Sequence, residues 1–207
     1  MKTKALRTRR EEILARAETH FAQYGYQGAS LSAIARDARI GNPGLLHHFP
    51  SKAKLYRAVL EALAQEVTQR LAQRLAPQAS PQARLKIFVD VQVEWMLQRP
   101  AGFRVIQREL LDNAERVKAA HTLPLQSYLL TSLELIVRAQ QAGVTRTDVS
   151  AIAILCIILG ALSYAASVRP TFVEAFAGQK PGLESASRWT ALVGESVLRM
   201  VTRVAER

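Results

Sequence analysis

Apolar residues recur at every fourth position over a long stretch of this 207-residue chain. The series comprises Leu55, Val59, Leu63, Val67, Leu71 and Leu75. Because an α-helix turns once every 3.6 residues, side chains with this spacing lie along one helical face, and Pro77 and Pro81 then end the helix. Hairpin dipeptides between alternating strands do not occur in the sequence. The pattern therefore predicts an all-α fold.

Other segments follow the same period. A first helix is predicted over residues 8–24, ending at Gly25, with Ile13, Ala17, Phe21 and Tyr24 on its buried face. A short second helix begins after Ser30, which can cap it, and buries Leu31, Ile34, Ala35 and Ala38. A third helix spans residues 43–49, and Ser51 caps the fourth. Further helices are predicted over residues 82–99, 101–118, 123–142, 148–168 and 183–206.

Positive charge is concentrated in the first quarter of the chain. The formal charge of the whole chain is +11, and its pI is about 10.4. Residues 1–57 contain 11 Lys and Arg against 4 acidic residues, whereas residues 58–207 contain 17 against 13. This distribution predicts that the N-terminal part meets an anionic partner such as nucleic acid. Its short helices joined by tight turns indicate helix-turn-helix geometry, with Leu45 and Phe49 facing inward.

Four motifs follow one another in this basic region. They are Arg9-Arg10-x-x-Ile13-Leu14-x-x-Ala17, Phe21-x-x-x-Gly25-Tyr26, Ser30-x-x-x-Ile34-Ala35 and Leu45-Leu46-His47-His48-Phe49-Pro50-Ser51-Lys52. In order and spacing, residues 9–57 resemble the DNA-binding domain of TetR-family transcriptional regulators. The remainder is similar to that family in architecture. The resemblance implies a helix-turn-helix domain with a basic N-terminal arm over residues 1–57, and a helical regulatory, ligand-binding and dimerisation domain over residues 58–207.

The resemblance also implies a set of DNA-binding residues, namely Ser30, Ser32, Asn42, Pro43, Gly44, Leu46, His47, His48 and Lys52. The two serines would reach phosphate or a base, residues 42–44 would lie nearest the base edges, and the histidines would lie along the phosphates. Lys52 would hold a phosphate together with the free amides of the fourth helix. The alternatives are a turn or cap role for Asn42, filler histidines and an ordinary surface lysine. A metal site would need ligands that this neighbourhood lacks, so none is expected.

Two positions depart from the family pattern. The family commonly has glycine in the turn where this chain has Arg39, and a phosphate-contacting tyrosine where it has Leu46. Leu46 cannot donate a hydrogen bond, so contact with a thymine methyl group becomes conceivable. Anchoring on phosphate then depends more on Lys52 and the basic arm.

The resemblance further implies a small-molecule pocket between residues 82 and 142. Candidate ligand-binding residues are Phe88, Trp95, Met96, Phe103 and Tyr128. The alternative for each is a plain core position, since aromatic residues at helical spacing are mostly core. Arg104 and His121 could orient a polar group of the ligand.

An uncharged apolar run occupies residues 149–168, a length that could cross a bilayer. One interpretation is a membrane-anchored helical adaptor. The other, which we favour, is a homodimer interface formed by residues 148–168 and 183–206, because a helix between two subunits is also apolar all round. Cys156 lies in this run and is expected to be inert filler.

The sequence thus predicts a ligand-responsive, DNA-binding transcriptional regulator that acts as a homodimer on a palindromic operator, as a repressor rather than an activator. No metal cluster, phosphate loop or nucleophile motif indicates an enzyme, and no cofactor is expected. The N-terminus lacks a secretory signal, and the single cysteine fits a reducing compartment, so we expect a cytoplasmic location without membrane contact.

Overall fold

The structure, a computed structural model, describes residues 8–111, 123–176 and 185–203. Its helices are α1 (Arg9–Gly28), α2 (Leu31–Asp37), α3 (Asn42–His48), α4 (Lys52–Arg74), α5 (Pro81–Gln98), α6 (Pro100–Leu111), α7 (Gln126–Gln141), α8 (Ala151–Ala175) and α9 (Ala186–Val201). Within these residues the only extended pairing is an isolated bridge between Thr145 and Thr202. The all-α prediction is confirmed. Predicted helical residues 112–118 and 204–206 lie outside the described residues.

The chain groups into two compact units. Of the described residues, the first contains 8–65, 100–111 and 123–125, and the second contains 66–99, 126–176 and 185–203. The boundary thus falls inside α4, and α6 belongs with the N-terminal helices. The predicted division between residues 57 and 58 concerns function and stays a prediction.

Helix α1 begins with a reciprocal cap. The Thr8 hydroxyl accepts a hydrogen bond from the backbone N–H of Glu11, and the Glu11 carboxylate accepts the N–H of Thr8 at 2.8 Å. Two otherwise free first-turn amides are satisfied in this way, which stabilises the start of the helix. Ile13, Ala17 and Phe21 form its buried face. Tyr24, predicted on that face, is wrongly placed, because it is 51% exposed.

Gly25 ends the first part of α1, as predicted, because its φ of 68° and ψ of −179° are not helical. A separate turn follows as far as Gly28. Essentially only glycine adopts this combination of angles, so glycine is required here by conformation. A Cβ atom at Gly25 would also lie 2.8 Å from the Arg108 guanidinium of α6, the end of a flexible side chain that can shift.

The turn between α2 and α3 is fixed by backbone hydrogen bonds. The Ser30 hydroxyl caps α2 by accepting from Ala33, as predicted, although Leu31 is half-buried rather than buried. At the other end, Ile40 N–H donates to the Ala35 carbonyl and Arg39 N–H to that of Arg36. This is the Schellman pattern, and its left-handed position is occupied by Arg39 with φ 54°.

Helix α4 begins after Ser51, whose hydroxyl accepts from Lys54 N–H at 3.2 Å. The predicted burial of the apolar residues at every fourth position is confirmed for Leu55, Val59, Leu63, Val67 and Leu71. Leu75 follows the last helical residue and is half-buried.

Within the second unit, α5 packs against both α9 and α7. A Cβ atom at Gly194 of α9 would lie 3.2 Å from Val89 and 3.4 Å from Val93 of α5, so the two helices approach closely. Gln92 of α5 instead accepts a hydrogen bond from the Tyr128 hydroxyl of α7 at 2.8 Å. Neighbouring sides of α5 therefore meet different helices.

Helix α8 runs beyond its predicted end at residue 168 and contains Pro170. Proline removes one helical hydrogen bond and frees the carbonyl of Ala166, a half-buried residue four positions earlier, yet the helix continues for five residues beyond Pro170. By length and composition alone α8 could cross a membrane, and 28% of its most apolar window is buried. Cys156 is exposed on this helix, and the expectation that its thiol is inert stays a prediction.

Candidate nucleic-acid interface

Helix α3 has one buried and one exposed side. Leu45 is fully buried, and Phe49, directly after the helix, is 3% exposed, so both face inward as predicted. Because side chains one turn apart point the same way, these two anchors force the intervening residues outward. The exposed positions are Asn42, Pro43, Gly44, Leu46, His47 and His48.

The start of α3 is linked to the start of α2. The Asn42 side-chain amide donates to the Ser32 hydroxyl at 3.0 Å. One Asn42 N–H and its carbonyl oxygen remain available for another partner, and the Ser32 hydroxyl can still donate. Ser30, the third predicted polar contact in this region, is exposed and caps α2.

Lys52 is half-buried at the start of α4. Its ammonium donates to the Gln27 carbonyl at 2.8 Å and lies 5.1 Å from the centre of the Tyr26 ring. An ammonium has three donors, so two remain for a phosphate. The predicted phosphate anchor is thus held in place by α1.

Two exposed cations near the α2–α3 turn are absent from the predicted set. Arg36 and Arg39 flank the end of α2, and both are exposed. On α1, the Arg10 guanidinium lies 5.0 Å from the centre of the Phe49 ring. The excess of positive charge in this part of the sequence was the signal that could have indicated these arginines. The family motif gave no such signal at Arg39, because it commonly has glycine at that position.

His20 connects α1 with the end of α2. Its Nε2 lies 2.6 Å from the Asp37 carboxylate, and the ring packs beside Tyr24 with centroids 5.9 Å apart. The hydrogen bond from His20, followed by the charges of His20, Arg36 and Arg16, holds the pKa of Asp37 below its usual value. The carboxylate stays ionised and its charge is balanced locally.

The predicted ligand residues do not all lie together. Phe88, Trp95, Met96 and Tyr128 are buried in the second unit, whereas Phe103 is half-buried in the first. Of the accessory candidates, Arg104 is exposed and His121 lies outside the described residues. A surface pocket of about 340 Å³ lies elsewhere in the second unit and is lined by Ser80, Gln82, Ala83, Leu85, Lys86, Leu198 and Thr202.

Polar groups accompany these buried aromatic residues. Tyr128 donates to the Gln92 carbonyl oxygen, while Gln92 Nε2 and Trp95 Nε1 are buried and have no hydrogen-bond partner. Burial raises the pKa of Tyr128 well above its usual value, so the hydroxyl keeps its proton. Gln92 was not among the predicted residues, although a polar residue among Phe88, Val89, Val91 and Val93 was a visible signal.

Helices α8 and α9 expose large apolar side chains. The most exposed are Ile152 and Tyr164 on α8 and Met200 on α9, at 62%, 64% and 64%. Leu192 is also exposed. On α8 the face formed by Ile152, Cys156, Gly160 and Tyr164 is exposed and uncharged.

Two family profiles match the chain in the same order as the two predicted domains. "Bacterial regulatory proteins, tetR family" matches residues 13–59, and "Tetracyclin repressor-like, C-terminal domain" matches residues 81–197. The second match alone covers more than half of the chain. The protein belongs to the TetR family. The resemblance seen in the motifs is thereby confirmed.

Sequence relatives within the TetR family match only parts of the chain. The transcriptional regulator RutR of Escherichia coli K12 is 37% identical over 62 residues, which are 30% of this chain and 29% of RutR. The transcriptional activator FasR of Mycolicibacterium smegmatis is 29% identical over 98 residues, which are 47% and 45% of the two chains. The chain therefore matches less than half the length of either relative.

Solved structures match almost the whole chain. The fatty acid degradation regulator FadR of Bacillus halodurans has a TM-score of 0.70 and 17% identity, covering 94% of this chain and 97% of that one. The ketosteroid transcriptional regulator KstR2 of Mycobacterium tuberculosis has a TM-score of 0.66 and 20% identity, with 96% and 97% covered. At these identities the likeness shows the TetR fold alone.

As a TetR-family protein, the chain is a DNA-binding transcriptional regulator with a helix-turn-helix domain, and the family points to regulation rather than catalysis. Family membership does not favour the membrane-anchored adaptor, and α8 is accounted for as a helix of the TetR C-terminal domain. Among the described residues, no cluster of three or more His, Cys, Asp or Glu could hold a metal ion.

Proposed function

We propose that this regulator is a cytoplasmic, homodimeric repressor that binds a palindromic operator and releases it when a small molecule binds. Residues 1–57 read the DNA, and residues 58–207 bind the ligand and form the dimer. The observation that carries the proposal is that α3 has two different sides. Leu45 and Phe49 are buried, and they hold residues 42–44 and 46–48 on an exposed face.

In this proposal α3 enters the major groove with its N-terminal end towards the bases. Asn42 offers a donor and an acceptor while its bond to Ser32 restricts its rotation, and this pairing suits the edge of adenine. Pro43 and Gly44 carry no bulky polar group and allow the backbone to approach. Leu46, 43% exposed, is positioned for a thymine methyl group.

Phosphate contacts surround this reading face. Ser30 and Ser32 lie at the start of α2, and His47 and His48, with rings 5.7 Å apart, lie at the end of α3. Lys52 adds a charge at the first residue of α4. Since each phosphate contact releases condensed counterions, operator affinity should fall steeply as salt rises.

Dimerisation would cover the apolar faces of α8 and α9, within residues 148–168 and 183–206. A large exposed apolar surface is unfavourable in water and marks a protein interface or a membrane surface. Two copies related by a twofold axis would bury the uncharged face of α8 against itself. Two α3 helices would then meet two half-sites, as a palindrome requires.

Release requires differential binding. An effector changes the population only if it binds the DNA-incompetent state more tightly than the competent one. The buried residues Phe88, Trp95, Met96 and Tyr128 support an effector site in the second unit, and Phe103 is proposed as a further contact.

The DNA-binding part is tested by sequencing genomic fragments that the purified protein retains at low and moderate salt. One recurring palindrome is expected. Asn42→Ala should lower affinity for that palindrome by about tenfold or more and relax one base position, because a bidentate base contact is lost. Gln23→Ala, at an exposed position of α1, is the control. Retention of fragments without any shared sequence would refute the proposal.

The dimer is tested by sedimentation of the full chain. Tyr164→Glu places a charge on the uncharged face of α8 and should produce monomers. Tyr24→Glu changes a comparably exposed tyrosine on α1 and should leave a dimer. Cys156, the single cysteine, gives a second readout, because a short bis-maleimide should join two copies. A monomeric wild type would exclude the palindromic dimer.

A further inference from the structure

We infer that the effector of this regulator is an uncharged, largely apolar molecule with a hydrogen-bond acceptor such as a ketone, ester or amide, which is held by Trp95 and Gln92. The inference rests on the proposed effector control and adds the chemistry of the ligand. It starts from two buried polar groups of α5 that have no partner.

The donors are the Trp95 indole N–H and the Gln92 side-chain amide. Trp95 is 2% exposed and Gln92 is 4% exposed, so water does not reach their polar atoms. A buried polar group without a partner costs roughly 1–3 kcal/mol, and native proteins rarely retain such groups without a use. Two such donors on one helix indicate a ligand that binds there and supplies hydrogen-bond acceptors.

The two groups lie on the same side of α5. Residues three apart in a helix are neighbours on its surface. The position of this side is fixed by the bond between the Tyr128 hydroxyl of α7 and Gln92. Val89, three residues before Gln92, and Val93 face Gly194 of α9. The site therefore lies on the side of α5 that meets α7, next to the side that meets α9.

The hydrogen-bonding capacity defines the ligand group. An indole N–H donates and cannot accept, so the group opposite Trp95 must be an acceptor. The Tyr128 hydroxyl is already donated to Gln92, which leaves the Gln92 amide N–H as the second donor. Two N–H donors suit a carbonyl oxygen, which has two lone pairs.

In the described part of the second unit no charged residue is buried, which argues against an ionic ligand group at these donors. Within the described part of the second unit, the buried polar residues are Gln92, Ser132, Thr145 and Thr190, and all are neutral. Arg99, one turn beyond Trp95, is about one-third exposed and lies 3.2 Å from the Glu66 carboxylate, so its charge is balanced. A carboxylate or ammonium group buried here would lack a counterion, at a cost far above that of a carbonyl.

The other buried side chains near these donors indicate the chemistry of the rest of the ligand. Phe88, Met96 and the Tyr128 ring are buried around these donors on α5 and α7. The hydroxyl of Tyr128 stays protonated because burial raises its pKa. The surroundings are therefore aromatic, neutral and closed to water, which favours a flat apolar body with few polar groups.

The test uses four naphthalenes of one shape, namely 2-acetylnaphthalene, 2-ethylnaphthalene, 2-naphthoate and 2-(aminomethyl)naphthalene. Binding to the full-length dimer without DNA is measured by calorimetry. The ketone should bind about tenfold or more tightly than the hydrocarbon and the two ions. Binding of the hydrocarbon with equal affinity would overturn the role of the donors, and tighter binding of the carboxylate would overturn the neutral ligand. Failure of all four to bind up to their solubility limits would also overturn the inference.

The chain offers a matched pair of tryptophans for the second readout. Trp95 and Trp189 are the only two, and the Trp189 indole already donates to the Ala165 carbonyl at 2.9 Å. In protein labelled with ¹⁵N at tryptophan, the ketone should shift the Trp95 indole N–H signal downfield and leave that of Trp189 in place. Trp95→Phe should weaken ketone binding by about tenfold, whereas Trp189→Phe should not. Equal effects of the two substitutions would contradict the assignment.

Operator release is measured separately by adding the ketone to the protein–DNA complex. Ketone binding through Trp95 without release would leave the ligand site intact and refute effector control of DNA binding. Release by 2-naphthoate with an unmoved Trp95 signal would support effector control and refute this site.

Discussion

The interior of the DNA-binding helices and the interior of the second unit are built on different chemistry. The buried residues of α1, α2 and α3 are apolar or glycine. The second unit buries Gln92, Ser132, Thr145 and Thr190 among its apolar residues. An apolar interior specifies one rigid arrangement, whereas buried polar groups must each find a partner. We therefore expect the first interior to hold α3 in position and the second interior to recognise the proposed effector.

The same two regions each end one helix with a different residue in the left-handed position. Helices α2 and α7 both finish with a Schellman pattern, in which the left-handed residue is Arg39 in one and Gly143 in the other, with φ of 54° and 70°. Glycine adopts this conformation freely, and arginine does so at a cost of roughly 1–2 kcal/mol. The cap of α2 is therefore less stable than its hydrogen bonds alone suggest.

The largest expected effect concerns the apolar interior. Leu45→Ala removes a fully buried side chain and should lower the free energy of unfolding by about 3 kcal/mol, measured by urea titration. Leu46→Ala, at the adjacent exposed position, should change it by less than about 0.5 kcal/mol. Similar losses in both variants would show that α3 is not anchored as described, and the contrast between the two interiors would fail.

The next effect compares two glycines with positive φ. Gly143→Ala should cost about 1 kcal/mol, because its Cβ would meet no atom within 4 Å and only the positive φ is unfavourable. Gly25→Ala should cost about 2 kcal/mol or more, because φ 68° with ψ −179° is a combination that essentially only glycine adopts, and the new Cβ must also displace the end of the Arg108 side chain. Thermal unfolding of both variants measures the difference. An equal or smaller cost at Gly25 would contradict the greater strain expected there.

A third prediction addresses the polar interior. Tyr128→Phe leaves the Gln92 carbonyl oxygen without its donor and should cost about 1 kcal/mol at neutral pH. Since burial raises the pKa of Tyr128, the native state binds this proton more tightly than the unfolded state does. Its contribution is complete below the ordinary tyrosine value near 10 and is lost as the pH rises above it. Urea titrations at increasing pH should show a steeper alkaline loss for the wild type than for Tyr128→Phe.

The smallest expected effect is a gain. Arg39→Gly relieves the left-handed arginine and should raise stability by about 0.5–1 kcal/mol, partly offset by the greater freedom of glycine in the unfolded chain. Operator affinity measured at two salt concentrations tests the exposed charge. A stabilised variant with weaker, less salt-dependent binding would show that Arg39 contacts phosphate. An unstabilised variant would refute the strain at this cap.

The contrast also explains which parts could be predicted from sequence. Ser30 and Ser51 were predicted as caps because local hydrogen bonding depends on neighbouring residues only. The inward positions of Leu45 and Phe49 followed from helical spacing. Tyr24 was misplaced because spacing cannot show where a buried face ends, and the true edge depends on how α2 packs.

Contacts between residues that are far apart in the chain were harder to predict from the sequence. Gln92 drew no attention because its importance arises from Tyr128, 36 residues later, and from the closed surroundings of both. The helix containing Pro170 was predicted too short because proline usually ends a helix, whereas this helix continues for five residues beyond it. The hydrogen bond from Lys52 to Gln27 was likewise invisible, since it joins two helices.

The short bridge near the C-terminus gives the last helix a fixed end. Arg146 N–H donates to the Val201 carbonyl, and Arg203 N–H donates to that of Val144, so the chain after α9 is joined to the loop between α7 and α8. Helix ends usually fray, and this one is restrained on both sides of Thr202. A fluorophore or spin label placed there would report the motion of the entire second unit, because its attachment point has little freedom of its own.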